Sequence, residues 1–256
     1  MTRTVKHPHL NITLTFDPEP HAYRDSEGAE YVSATTLIKS AFPEFDAPTV
    51  AAKCAEKQGK PAETLIAEWD AKRNAAADFG TRLHANAEAT IRGQPRPNAP
   101  RTPREVKAFK VAAETAAMLC KRFGAGIEAE KIIFSPFFEV AGTVDVLGHT
   151  DAQTWTLLDW KSNEVLKREN GFQSCIVPGL EHLQDCDLIR YSLQLSLYEM
   201  ILRRENYVPQ GATVRRFIVW IGPDMDKPEF IETADMRGEV AAIMLERECM
   251  RRVVET

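Results

Sequence analysis

The chain lacks the devices that hold small extracellular scaffolds together. Its five cysteines, Cys54, Cys120, Cys175, Cys186 and Cys249, are odd in number and include no C-x-x-C pair. Neither a disulfide framework nor a zinc knuckle is expected, and that usage fits a reducing, cytoplasmic compartment. Long apolar runs are also missing. Stretches such as residues 217–221 fall far short of the ~18 residues of a membrane span. The opening MTRTVKHPHLN has no apolar h-region of a secretory signal. No G-x-x-x-x-G-K-[ST] loop, internal repeat or low-complexity segment is present. Positive charge is not in excess: 32 basic against 37 acidic residues give a net −5. This excludes a bulk-basic coat for nucleic acid. It leaves room for an enzyme that needs only a local basic groove.

What remains is an ordinary globular composition, 44% hydrophobic and 27% charged over 256 residues, enough to bury a core without staples. Residues 12–32 read as a β-hairpin, with strand formers Thr13, Phe16, Tyr23, Tyr31 and Val32 around the turn Asp25-Ser26-Glu27-Gly28. His7 and His9, flanking Pro8, fall in a flexible tail before it, and His21 belongs to the hairpin. A short helix capped by Ser33 or Thr35 ends before Pro43. Residues 47–92 read as helices, with Asp46 as an N-cap and Pro61 at the start of the second segment. Gly93 and the proline-rich loop 94–103 stop them, and another helix covers 104–123. The period then changes. Residues 127–135, 137–147 and 154–161 read as three strands, and 162–186 as a long, partly mobile loop. A helix over 187–206, strands at 214–221 and 230–233, and an amphipathic C-terminal helix capped by Asp235 complete the chain. The expectation is one domain over 1–256 of α+β (mixed α/β) class, with a central mixed sheet flanked by helices. A hairpin and helical part spans 12–125 and the sheet core 126–256.

The chemistry concentrates in residues 130–161. Glu130 precedes AGTVDVL, which holds Asp145, and LLDWKS follows with Asp159 and Lys161. In a strand, residues i and i+2 share a face, so Asp159 and Lys161 project together while Trp160 packs on the other side. A short connection allows Asp145 and Asp159 to lie side by side. Two carboxylates in one place repel unless a cation joins them, and an oxygen-rich set suits Mg²⁺ or Mn²⁺. An ammonium at Lys161 can stabilise the added charge of a pentacoordinate phosphorus. Taken alone, Asp-x-Lys in a strand is more often a solvated face. The apolar neighbours Trp155, Leu157, Leu158 and Trp160 argue instead for charges that must be paired or metal-bound.

Glu130, then GTVD, then DWK resembles the PD-(D/E)XK nuclease superfamily in its RecB-like branch. FGTRLHANAE, with Gly80, His84 and Glu88 at successive four-residue steps, is similar to the G-x-x-x-H motif of that branch. YSLQLSLYEMIL, with Gln194 and Tyr198, is similar to its Q-x-x-x-Y helix. HAYRDSEGAEYVSATTLI followed by FPEFD resembles the N-terminal region of phage-type and mitochondrial genome-maintenance-type exonucleases. The match runs in the family's order over roughly residues 16–200. It departs in placing Val144 where the family's proline stands. The resemblance implies a restriction-endonuclease-like core and a Mg²⁺- or Mn²⁺-dependent DNA exonuclease of recombination, replication or repair. The alternatives are a structure-directed endonuclease on the same core and an inactive nucleic-acid-binding module.

The resemblance also implies roles. His84, Asp145, Asp159 and Glu130, with the carbonyl of Trp160, would hold one or two ions, and Lys161 would act on the phosphate. Spacing alone leaves Glu128 and Glu130 open as the acid, since they share a strand face; the family pattern favours Glu130. Glu88 is either a support for the site or an exposed charge. Gln194 would contact the site or DNA, with Tyr198 beside it or in the core. Gly142 would allow close backbone approach near the ion, or mark a bulge. The other basic pairs, Arg203 with Arg204 and Arg215 with Arg216 among them, read mostly as solvated faces. Arg104, Lys107, Lys167 and Arg168 are the better phosphate contacts. Phe172 and Trp69 are either stacking platforms or core. Without a C-x-x-C pair, no iron–sulfur cluster is expected. DNA is the expected partner, together with a separate single-strand-annealing or single-strand-binding protein and no membrane. The cell interior, bacterial or phage-infected, is the expected location.

Overall fold

A computed structural model describes residues 2–254, with side chains through Arg252. Four short strands, β1 (Arg3–Lys6), β2 (Thr13–Asp17), β3 (Ala22–Asp25) and β4 (Glu30–Ser33), form an antiparallel meander. The expected single hairpin is thus a larger unit. The expected flexible tail is its first strand: β1 pairs with β2, and His7 is buried. His7 Nε2 lies 3.2 Å from Glu205 Oε2, and its Nδ1 accepts the N–H of Leu10. Val5 alone marks the apolar alternation of β1, too little for a pattern to register.

Side-chain caps set the helix starts. Ser33 accepts the N–H of Thr36 to open α1 (Ala34–Ser40), and Asp46 accepts that of Thr49 to open α2 (Ala47–Gln58). α3 (Ala62–Ile91) follows Pro61. Thr102 accepts the N–H of Glu105 at the head of α4 (Pro103–Phe123). Next come β5 (Ile127–Ser135), β6 (Val140–His149) and β7 (Thr154–Lys161), then α5 (Asp187–Arg204), β8 (Thr213–Trp220), β9 (Glu229–Glu232) and α6 (Arg237–Val254). Asp235 accepts the N–H of Arg237 as the last helix begins.

The nine described strands join one mixed sheet in the order β1-β2-β3-β4-β6-β7-β8-β9, with β5 on β6. The pairs β4–β6 and β7–β8 are parallel and the others antiparallel. β5 takes one edge of β6 from Val140 to Gly148. The opposite edge is shared. β4 takes Val140 and Ala141, and β7 takes Val146 through His149. Residues 142–145 lie between, where the sheet forks.

Helices cover both faces. α1, α5 and α6 pack Leu37, Leu193, Leu197 and Val240 against Val144, Leu147 and Leu157. α3 and α4 pack Leu83, Phe109, Ala112 and Leu119 against Val146, Leu158 and Trp160. Each large side chain so buried stabilises the fold by about 1.5–3 kcal/mol. The segment 162–186, expected as a partly mobile loop, is tied down. Leu166, Cys175, Val177, Leu180 and Leu183 are buried in the core, and the Ile176 N–H donates to the Ala41 carbonyl at 2.9 Å. One expected solvated pair is also corrected. Arg216 is buried and pairs with Glu199, which is 1% exposed and lies 2.7 Å from Arg203. No described helix is long and apolar enough to cross a membrane.

Candidate functional site

The fork is where the chemistry-bearing residues meet. Gly80 on α3 has no room for a side chain: a Cβ there would stand 2.9 Å from Ser162 Oγ, just past β7. That close approach carries His84, one turn on, to the sheet, with its Nδ1 3.4 Å from Asp145 Oδ2. Asp145 sits one residue beyond the end of the β6–β7 ladder, and its carboxylate takes up the Trp160 N–H at 2.8 Å. The apolar side chain of Trp160 packs on the helix side, as its place in the strand dictates.

Glu130 faces Asp145 across β5–β6. The register is the same on both sides, Ala129 with Val146 and Lys131 with Val144, but the pair between them is skipped. Glu130 is in the left-handed region, φ 51°, a conformation that costs about 1–3 kcal/mol for a non-glycine residue. Arginines take the carbonyls of this break: Arg3 donates to the Glu130 oxygen at 2.6 Å and Arg92 to that of Ala129 at 3.1 Å. Glu128, the alternative acid, instead pairs with Lys131 at the surface.

Asp159 and Lys161 project together and form an ion pair. The Lys161 ammonium also lies 4.4 Å from the centre of the Tyr191 ring, whose hydroxyl is bonded to Asn163. Oδ2 is the Asp159 oxygen that faces Lys161, and it is buried with no second hydrogen-bond partner among the described residues. From α5, Gln194 donates to the Tyr198 hydroxyl at 3.0 Å. Tyr198 explains Gly142. A Cβ at Gly142 would stand 2.5 Å from Tyr198 Cε1, so the glycine makes room for a ring. A cavity of about 180 Å³ joins these groups, lined by His84, Gly142, Thr143, Asp145, Asp159, Lys161, Gln194 and Tyr198 together with His21, Tyr23, Ser33, Ala34 and Thr35.

Electrostatics reflect crowded, buried charge. Burial, with the Asp145 charge added, pushes the Glu130 carboxyl up to about 7. Burial also raises Asp159, outweighing the opposing Lys161 ammonium. Burial acts on Asp145 in the same sense, but His84, Lys161 and the Trp160 N–H together hold it below the usual carboxylate range. Burial works to lower His84 and Lys161; the carboxylates around them hold both above their ordinary values. Tyr198 is pushed well above a free phenol, chiefly by burial.

The donor set suits a divalent cation. One ligand atom each from His84, Glu130 and Asp145 lie within 4.8 Å of one another. An ion at about 2.0–2.1 Å from each needs ligand atoms roughly 3–4 Å apart, which small side-chain movements provide. Asp159, whose Oδ2 faces Lys161, is outside that trio but lines the same cavity as His84 and Asp145.

Other expected residues lie outside it. Arg104 pairs with Asp224 and Glu164, Lys107 with Asp226, and Arg168 with Glu229. Lys167 is exposed, with its backbone N–H donating to Asp187 and its carbonyl accepting from the Leu188 N–H. Glu88 pairs with Arg92. Trp69 packs edge-on against Phe45, and Phe172 is 98% exposed. Sequence reasoning missed Tyr191, the arginines at the Glu130 break, and the contribution of the N-terminal meander to the cavity. Of these, only Tyr191 carried a signal, three residues before Gln194 on the same helix.

No family model matches the chain, and no curated protein does. Among solved structures it is similar to a candidate exonuclease of Eubacterium rectale, with 12% identity and a TM-score of 0.38 over 69% of this chain and 66% of that one. It is also similar to a protein designated SSO0001, with 14% identity and a TM-score of 0.37 over 86% of this chain and 75% of that one. At these values the likeness carries no argument about activity.

Proposed function

We propose that this chain is a divalent-metal-dependent deoxyribonuclease that hydrolyses phosphodiester bonds from a strand end. The observation that carries the reading is the fork in the sheet. It gathers His84, Asp145, Asp159 and Lys161 into one cavity from elements far apart in sequence, with Glu130 beside it in reach of His84 and Asp145. Their order along the chain is the one on which the PD-(D/E)XK resemblance rests.

His84, Glu130, Asp145 and Asp159, with the Trp160 carbonyl, would hold Mg²⁺ or Mn²⁺. When bound, the cation supplies positive charge to phosphate oxygens and makes water a better nucleophile near neutral pH. The chain's own groups do the rest. Lys161, held between Asp159 and the Tyr191 ring, offers its ammonium to the charge that develops on phosphorus. Gln194, spending one N–H on Tyr198, keeps its second N–H and its carbonyl for the strand.

The test is digestion of end-labelled linear DNA beside the same DNA as a closed circle, with Mg²⁺ or Mn²⁺, by wild type, Asp159→Ala and Lys161→Ala. Loss of the linear species alone, abolished by both substitutions, supports the reading. Cutting of the circle makes it an endonuclease. No cleavage of single- or double-stranded DNA with either metal leaves a nuclease-like fold used for binding.

A further inference from the structure

The turn between β2 and β3 reaches the mouth of the cavity and places His21 there. Two independent features mark this residue. Its backbone is left-handed, φ 51°, a conformation uncommon outside glycine but one in which asparagine, aspartate and histidine are enriched. Its ring is fixed by packing alone, edge-on to Phe16 at 5.2 Å and to Tyr23 at 5.7 Å between centroids. No described residue hydrogen-bonds its imidazole nitrogens. The turn thus sets an exposed imidazole, packed against two aromatic rings, in the wall that Asp145, Asp159 and Lys161 also line. Among the described non-glycine residues with positive φ, His21, Glu130, Glu139 and Asn206, the first lines this cavity and the second supplies an acid beside it.

We infer that His21 is a substrate-contacting residue, donating a hydrogen bond to a non-bridging oxygen of a strand phosphate at the cavity mouth. This rests on the nuclease reading and deepens it. The metal-side groups approach the phosphate from β5, β6, β7 and α3, whereas His21 approaches from the N-terminal meander. The strand is thereby gripped from both arms of the fork. A neutral imidazole has one N–H to give and a protonated one has two, so the contact needs no particular charge state.

The experiment compares wild type, His21→Gly and His21→Asn on end-labelled linear DNA, with Mn²⁺ affinity by calorimetry and melting temperature measured on each. Glycine removes the donor and the ring's packing but suits the left-handed backbone, so its melting temperature should stay close to that of wild type. Its kcat/KM should fall tenfold or more, with Mn²⁺ affinity unchanged. Asparagine tolerates the left-handed backbone and keeps an N–H donor, so it should recover part of the loss. His21→Gly with kcat/KM within twofold of wild type overturns the proposal and leaves the nuclease reading standing. Loss of melting temperature or Mn²⁺ affinity in step with activity also overturns it, because the residue is then structural. A wild type that cuts no strand overturns the nuclease reading and this proposal with it.

Discussion

Gly142→Ala is the sharpest test of how the site is built. The new methyl would stand 2.5 Å from Tyr198 Cε1 and 3.1 Å from Cζ, where carbon atoms in contact settle at about 3.5–4.0 Å. The ring must therefore retreat by roughly 1 Å. Tyr198 is buried in the core, and its hydroxyl is held by Gln194 at 3.0 Å. Forcing a buried ring off its place costs about 1–3 kcal/mol. At roughly 2–4 °C per kcal/mol for a chain of this size, a cost of ~2 kcal/mol lowers the melting temperature by about 4–8 °C. The decisive arm is a double-mutant cycle with Tyr198→Leu, read by thermal or urea unfolding. Once the ring is gone the methyl has space, and alanine is then preferred to glycine in a strand by about 0.5–1 kcal/mol. The same substitution should turn from destabilising to neutral or stabilising. A Gly142→Ala melting temperature within 1 °C of wild type would refute the close-approach argument. So would an equal loss in both backgrounds.

Four further outcomes follow from the same geometry. Lys161→Ala should lower the cleavage rate on the order of 10²–10³-fold with DNA affinity largely kept, since its ammonium acts on developing charge; a rate within fivefold of wild type removes it from the chemistry. Glu130, raised from 4.5 to about 7 in the folded protein, keeps a proton that the unfolded chain gives up at lower pH. Without metal it therefore costs stability as pH rises through that window, by at most about 3 kcal/mol, and Glu130→Gln should flatten the melting-temperature profile between pH 5 and 8 in EDTA, parallel profiles counting against it. Mn²⁺ should raise the melting temperature of wild type far more than that of Asp145→Asn, and equal shifts would place the ion elsewhere. Glu199→Gln leaves Arg216 buried with a weakened partner and should cost about 3 kcal/mol, so a loss below 1 kcal/mol in urea titration would show the pairing to be dispensable.

Much of this was legible where local rules act alone. Ser33, Asp46 and Asp235 sit at helix starts because their short oxygens satisfy free N–H groups. β7 could be read from its apolar flanks and the i, i+2 placement of Asp159 and Lys161. The mixed sheet with helices on both faces followed from the change of period after Gly124. What was hidden depends on partners distant in sequence. His7 reads as tail because Glu205, its acceptor, comes almost two hundred residues later. Arg216 reads as solvated because its partner, Glu199, lies on the preceding helix, α5. The basic residues Arg104, Lys107 and Arg168 carry acidic neighbours that only the fold brings near. Gly142 was visible as a close approach but not as one made for Tyr198. The left-handed turn at Glu130 leaves no trace in composition, since nothing in its side chain asks for it.

The fork has a cost that its charges also meet. Between Ala141 and Val146 the β6 edge shared by β4 and β7 carries no neighbouring strand, and an open edge is a template on which another chain can add. Natural sheets blunt such edges by keeping them short and by placing inward-pointing charges along them. Both devices are present here, since the gap is brief and Asp145, Asp159 and Lys161 stand at its end. The ionised groups that would handle phosphate thus also act as gatekeepers against strand addition. Replacing the two aspartates with apolar residues strips that guard from the middle of the sheet, so such a variant belongs in a self-association assay as well as an activity assay.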